Sequence, residues 1–588
     1  MKKIAFLLFL FILFSCQNTD YKSLAPIEKT AQNILIDYND LAKKSSELKA
    51  LIEKKSDKNK LQSQFKETRL AYKKIESFVT FYLPETAIKI NGAAIDKNDI
   101  NETTRKVEDA TGFQKVEELL FSDNIDLLEL KKQMGILNGY IISCKPNLEN
   151  LQLNDSNIFE SQKLEMIRIM SLGISGFDSP IALHSLPEAR ASIESIQSVL
   201  LNFKDDEDLK NLIRKTFNYI YKNNDFNTFD RGDFITQYCI PISKRIQEIQ
   251  TELGIKNNPN FGPINFDYAT VFEEGAFNLN YFAPSYNKKP SSSQIKLGEK
   301  LFSDTILSGD NSVSCITCHI PSEAYADHKP KAIQNGKISR NTPTLLNSGF
   351  QNTLFLDGRV NYLEDQAKAV INNKDEMHGS FSKALEKIKN NKIYQTEFKK
   401  VFPNDLEITE QNLLKSIASY VRSLSKLNSK FDDYLRGKAK LSVNEERGFT
   451  VFMGKGKCAT CHFFPLFNGS VPPMYNELES EVLGVPSQKS IQNATIDADL
   501  GEYEITKAPL KKYAFKTPTV RNSAITYPYM HNGIYDSLEE VIDFYNRGGG
   551  AGIGIELDNQ TLPTDELKLT KTEIKDLIAF LKTLNNKY

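Results

Sequence analysis

Cys315-Ile316-Thr317-Cys318-His319 and Cys458-Ala459-Thr460-Cys461-His462 repeat one pattern, CxxCH. Two thiols three residues apart can add to the two vinyl groups of one haem, and the histidine that follows then ligates the iron. A zinc site would need paired CxxC knuckles closing on one metal. Here the motifs lie a whole domain apart and each brings its own histidine. Together they use four of the seven cysteines and two of the six histidines. The chain must therefore fold twice around a flat, covalently held group, and two c-type haems are expected.

The N-terminus gives the compartment. Lys2 and Lys3 precede an apolar run from Ile4 to Phe14, followed by Ser15-Cys16. This is the pattern of an export signal over residues 1–16, too short to span a bilayer comfortably. Cys16 is expected to be the lipidated first residue of the mature chain; otherwise it is an incidental cysteine in an ordinary signal. Membrane contact would then be through the lipid anchor only, at the periplasmic or outer-membrane face. Export agrees with the CxxCH motifs, because c-type haem is attached outside the cytoplasm. The two remaining thiols, Cys144 and Cys239, either stay as buried thiols or pair with each other. A net charge of −1 gives no reason to expect nucleic acid.

Only 7 of the 29 glycines fall in the first 250 residues, so long helices are expected there and loop-rich helical structure beyond. Tyr38, Leu41, Leu48, Leu51 and Ile52 recur on one helical face, and Phe65, Tyr72, Ile75 and Val79 on another, closed by Pro84. The charged residues between them read as solvated faces. A helical bundle over 17–255 follows. Residues 256–293, with Asn-Pro, Gly-Pro, Lys-Pro and Ser291–Ser293, read as a linker. Its aromatics (Phe266, Tyr268, Phe277, Tyr281, Phe282) are expected to pack on a neighbour.

Two stretches of the bundle, Arg69 to Glu76 and Gly112 to Phe121, resemble imelysin-like domains. That resemblance brings a GxHxxE motif suggested to bind metal. Gln114 stands at its histidine position, with Glu117 and Glu76 remaining, so a scaffold or partner-recruiting bundle is an equal reading.

From Leu297-Gly298-Glu299-Lys300-Leu301-Phe302 onward, the chain resembles bacterial di-haem cytochrome c peroxidases and MauG-like enzymes. The resemblance rests also on Arg340-Asn341-Thr342-Pro343-Thr344, Asp357-Gly358-Arg359 and Phe515-Lys516-Thr517-Pro518-Thr519-Val520-Arg521-Asn522. It implies haem domains over 294–436 and 437–588, with His319 and His462 as proximal ligands. Gln366 and Glu376 stand at the family's distal positions. Glu376 would move a proton between the two peroxide oxygens, and Gln366 would hydrogen-bond the peroxide. Asn335 stands where the classical distal histidine is found, which implies an open iron; His328 is the nearby substitute. At the second haem, Tyr545 stands fourteen residues after His531, where classical members have methionine and MauG-like members a tyrosine ligand. Met530 is the rival, and His531 is expected to hydrogen-bond near that haem. Asn341, Thr526 and Pro528 match the family's calcium ligands.

Locally, Ser537 and Glu540 form a capping box, and Leu538, Val541, Ile542 and Tyr545 share the inward face of the helix that follows. The family's interhaem tryptophan is replaced by Leu356, which leaves Phe355, Tyr362 or direct tunnelling. Val370 replaces a proline common in the distal pocket.

The expected protein is mainly α, a helical bundle followed by two cytochrome c-like haem domains. Its expected reaction is reduction of hydrogen peroxide with electrons from a small donor such as a cytochrome c. MauG-like oxidation of a protein or small molecule is the first alternative. An electron-transfer component of a metal-uptake system is the second.

Overall fold

The computed structural model describes residues 21, 24–98, 107–259, 262–332 and 340–587. The expected export signal with Cys16, and Asn335, lie outside the described residues. No described helix is long and apolar enough to cross a membrane.

The chain is mainly α-helical, with two small antiparallel strand pairs, Lys97–Asn98 with Val107–Glu108 and Ser480–Val482 with Ala514–Lys516, among the described residues. Helices Pro26–Glu53 and Lys58–Tyr82 start the bundle. Asp57 caps the second by accepting from Lys60 N (2.9 Å), satisfying one of the donors a helix start leaves open. Ile34, Tyr38, Leu41, Leu48 and Ile52 of the first helix and Phe65, Tyr72, Ile75 and Val79 of the second are buried in one core with Phe113 and Leu137. Pro84 then begins the helix Pro84–Asn91 at a position where its missing N–H costs nothing.

The expectation of solvated charged faces fails on the second helix. Arg69, Lys73 and Glu76 are buried. Each faces an opposite charge from another segment: Glu188 for Arg69, Asp178 for Lys73, and Arg168 for Glu76. Charged groups enter an interior only when such partners take over from water. Those partners are about a hundred residues away in sequence, so helical periodicity cannot reveal them.

A second core crosses residue 255 without a break. It joins Phe159, Ile193 and Phe234 of the bundle to Phe272 and Phe277 of the linker and to Phe431, Phe449 and Phe580 near the C-terminus. Phe277 packs on a neighbour as expected, meeting Tyr475 (5.3 Å between ring centres), and Phe272, which was not among the expected aromatics, meets Phe464 (5.5 Å). Phe177 of the bundle stacks edge-on against Phe463, the neighbour of His462 (5.5 Å). Cys144 and Cys239 lie in the two different cores as free thiols and do not pair.

Both C-terminal units are built on the same helix crossing. Ser292–Ser303 crosses Glu410–Ser423 at Gly298, and Val443–Met453 crosses Lys571–Thr583 at Gly448. A Cβ on either glycine would lie 1.9 Å from a backbone oxygen, of Ser416 and Asp576 respectively. Gly448→Ala is therefore expected to destabilise by about 1–3 kcal/mol from overpacking. This outweighs the ~0.5–1 kcal/mol that alanine gains over glycine within a helix. Denaturant unfolding reads the difference; an unchanged midpoint would show that the crossing yields.

Candidate active site and haem-attachment sites

Each CxxCH forms a tight 3-10 turn, Cys315–Thr317 and Cys458–Thr460. In both, the histidine N–H bonds the first cysteine's carbonyl (His319 to Cys315 and His462 to Cys458, each 2.9 Å). The turn thus brings both thiols and the imidazole to one spot. His319 Nδ1 lies 3.1 Å from Tyr325 O, and His462 Nδ1 lies 2.9 Å from Pro518 O. A carbonyl only accepts, so Nδ1 carries the proton in each ring and Nε2 is left as a bare donor for a metal. Burial lowers the proton affinity of both imidazoles, that of His462 to about 4. All four cysteines are free. Burial pushes Cys315 and Cys458 up to about 12 and raises Cys318 and Cys461. Each turn presents two thiols and one imidazole, the set that thioether attachment of one haem needs.

The first motif opens into a cavity of about 870 Å³, within the size range of cofactor pockets. Cys315, Cys318 and His319 line it, and so do Gln366 and Glu376. Its walls are largely apolar, with Leu354, Leu363, Val370 and Met377 among them. The donor set and the space fit a covalently held haem. Gln366 sits on the helix Leu363–Asn372. Glu376 follows in a turn whose N–H bonds Asn373 O (3.2 Å). Asn373 Nδ2 donates to Glu376 Oε1 (3.0 Å). Burial raises the Glu376 pKa above the ordinary carboxylate range; the Asn373 bond and the Arg359 charge oppose that.

Around this cavity, Arg340 bridges Asp499 (2.7 Å) and Asp357 (2.6 Å). Arg359 also pairs with Asp357 (2.5 Å) and lies over the Phe355 ring (3.4 Å). Sequence reading named Asp357-Gly358-Arg359 without assigning it a task. It missed Asn373, although an asparagine three residues before a pocket glutamate is a signal for such a brace.

Tyr545 lies at the second motif. Enclosure of its hydroxyl raises the tyrosine pKa above its ordinary value. The capping box is present: Ser537 Oγ accepts from Glu540 N, and Glu540 Oε2 accepts from Ser537 N (3.2 Å each). On the helix Leu538–Asn546, Leu538 and Ile542 are buried. Val541 and Tyr545 are only half-buried.

His531 is held by Asp497 and Phe515. Its Nε2 lies 3.1 Å from Asp497 Oδ1, its ring stacks on Phe515 at 3.9 Å, and Asp497 lines the first cavity. His328 is engaged on both nitrogens, Nδ1 with Tyr527 O (2.8 Å) and Nε2 with Glu323 Oε2 (3.1 Å), and stacks on Tyr527. Asn341 Nδ2 donates to Pro528 O (2.9 Å), and Asn341 N bonds His531 O (3.0 Å), so Asn341 clamps the 526–531 loop to the first unit. Thr526 Oγ1 is turned back to Asn522 O (3.0 Å). Of the two aromatic candidates, Phe355 lines the cavity beside Leu356, whereas Tyr362 is exposed.

In the bundle, Glu117 is filled by donors from Ser179, Ile181 and Ala182, and Glu76 by Lys73, Asn91 and Arg168. Gln114 Nε2 is buried without a hydrogen-bond partner.

Residues 292–440 match the model of the di-haem cytochrome c peroxidase family. Cytochrome-c peroxidase IdrP1 of Pseudomonas sp. (strain SCT) is 34% identical over 314 residues, which cover 50% of this chain and 81% of that protein. The methylamine utilization protein MauG of Methylorubrum extorquens is 31% identical over 294 residues, 50% of this chain and 78% of the relative. The chain belongs to the di-haem cytochrome c peroxidase family. This membership makes it a peroxidase-type oxidoreductase and implies two c-type haems. A crystal structure of a MauG-like protein associated with microbial copper homeostasis is 29% identical, covering 52% of this chain and 92% of that one, with a TM-score of 0.47.

Proposed function

We propose that this di-haem peroxidase reduces hydrogen peroxide to water at the His319 cavity, with electrons that enter at the His462 site from a small exported donor protein such as a cytochrome c. The observation that supports it is the shared cavity: Cys315, Cys318 and His319 line the same space as Gln366 and Glu376. Bound haem supplies a redox-active iron that exchanges electrons with peroxide. His319 would hold it through Nε2, with Nδ1 fixed by Tyr325 O. Glu376 accepts a proton from one peroxide oxygen and returns it to the other as the O–O bond breaks. Gln366 orients the peroxide by hydrogen bonding. The balance is H2O2 plus two electrons plus two protons to two waters. His462 would hold the second haem, and Tyr545 would be a further ligand. Asn341, Thr526 and Pro528 would hold a calcium ion between the sites. The chain is exported and anchored by lipid at Cys16, and the bundle is imelysin-like.

Tyr545 favours a second reading, MauG-like oxidation of a protein or small molecule, because an anionic oxygen ligand stabilises oxidised iron. Tyr545→Phe is expected to raise the potential of the second haem in a spectroelectrochemical titration and leave the first unchanged. An unmoved second haem would remove Tyr545 from the ligand set.

Peroxide-dependent oxidation of a reduced small cytochrome tests the main reading. No oxidation by fully haem-loaded protein would overturn it. The acid side of the kcat/KM profile follows from Glu376. Its base form is lost as pH falls through a raised pKa, so activity should decline at a pH above the ordinary glutamate value of about 4.3. A decline only below that value would exclude Glu376 as the base.

A further inference from the structure

The wall of the first cavity carries four described cations: Lys331, Arg340, Arg359 and Lys516. Arg340 and Arg359 are matched by Asp499 and Asp357. Lys331 is exposed to solvent. Lys516 differs from all three. Its Nζ donates to the neutral Gln351 Oε1 at 2.5 Å, and no ion pair reaches it among the described residues. Burial pushes its pKa down to about 8, opposed only by the field of Asp357. Lys516 is half-buried on the cavity wall, and an ammonium partly withdrawn from water favours an anionic partner. Two of its three N–H donors remain for a group in the cavity.

The backbone fixes where this charge stands. Lys516 ends the strand Ala514–Lys516, and its N–H bonds Leu356 O (2.8 Å) on the cavity wall. Two residues on, Pro518 O receives His462 Nδ1. Lys516 thus stands on the wall between the two histidines. The anion expected in this cavity is part of the cofactor itself, since the porphyrin of a haem carries two carboxylate side arms.

We propose that Lys516 Nζ binds a carboxylate side arm of the haem held at His319 and so places a positive charge beside that haem, on the wall facing the second site. The inference rests on the reading that His319 holds a haem.

The test uses full-length, haem-loaded protein with Lys516→Gln and Lys516→Arg, and reads both haem potentials by spectroelectrochemical titration. Loss of the cation should lower the potential of the first haem, because a nearby positive charge favours the reduced site. The second haem should not move, and Lys516→Arg should restore the first. An unmoved first haem in fully loaded Lys516→Gln protein overturns the inference, as does a shift confined to the second haem. If Lys516→Gln does not load haem, Lys516→Arg decides through resonance Raman. A shifted side-arm bending band at the first haem supports the contact, and an unshifted band overturns it. A wild-type protein with no haem on Cys315 and Cys318 would instead sink the haem reading, and this inference with it.

Discussion

Glu376→Gln is expected to lower kcat for peroxide reduction by about 10²–10⁴-fold, the usual worth of a positioned acid–base group, while the haem spectrum stays as in the wild type. Glutamine keeps the size and the capacity to accept from Asn373 Nδ2, so the pocket should stay in place. It cannot take a proton from one peroxide oxygen and give it to the other. The effect should fall on kcat and kcat/KM together, because the proton moves only in the reacting complex. Gln366→Ala should cost less, since it removes orientation and leaves proton transfer. A Glu376→Gln protein that retains wild-type turnover would remove the proposed base. Stopped-flow mixing with peroxide separates this loss from slow donor binding.

Arg69→Ala is expected to destabilise the protein by about 3–5 kcal/mol, the cost of stranding a buried charge. Arg69 meets Glu188 through two bonds, Nε to Oε1 (2.6 Å) and Nη2 to Oε2 (2.7 Å), with both side chains almost fully enclosed. Removing the guanidinium leaves Glu188 with Lys73 at 3.7 Å as its nearest cation. The paired replacement Arg69→Met with Glu188→Leu should recover part of the loss, because it removes both charges together, although Asn91 Oδ1 loses its Arg69 donor.

The same network gives the pH dependence of stability. The Arg69 guanidinium holds the Glu188 carboxyl well below its ordinary range. A depressed folded pKa means that this stabilisation is present above about pH 4.3 and is lost as pH falls further. Glu165 works in the opposite sense. Burial and the neighbouring Glu76 push it up to about 8, so it binds a proton in the fold that the unfolded chain releases. Its contribution improves as pH falls from about 8 toward 4.3 and is a full cost above 8. Stability should therefore peak at mildly acidic pH. Glu165→Gln should flatten the alkaline side, and chemical unfolding at several pH values would check it. An unchanged alkaline slope would exclude Glu165 as its source.

What the sequence made legible was local. The CxxCH turns, the capping box at Ser537 and Glu540, and the apolar stripes of the first two helices depend on neighbours within a few positions. The capping box stands as read, and so do the stripes except at Leu51, which is half-buried. Tyr545 was placed by helical phase plus its spacing from His531, and it does lie with Cys458 and Cys461. What stayed hidden was set by distant partners. Lys73 reads as a surface lysine until Asp178 is beside it. Nothing near His531 in sequence announces its bond to Asp497 or its stack on Phe515. The continuity of the core across residue 255 was equally invisible, because Phe272 and Phe464 carry no mark of their contact.

The most direct test is the stoichiometry of donor oxidation by the haem-loaded, full-length protein at limiting peroxide. Two electrons should leave the donor for each hydrogen peroxide consumed, with no oxygen released, and Glu376→Gln should suppress the process. Peroxide loss without donor oxidation, or donor oxidation indifferent to Glu376, would contradict the account.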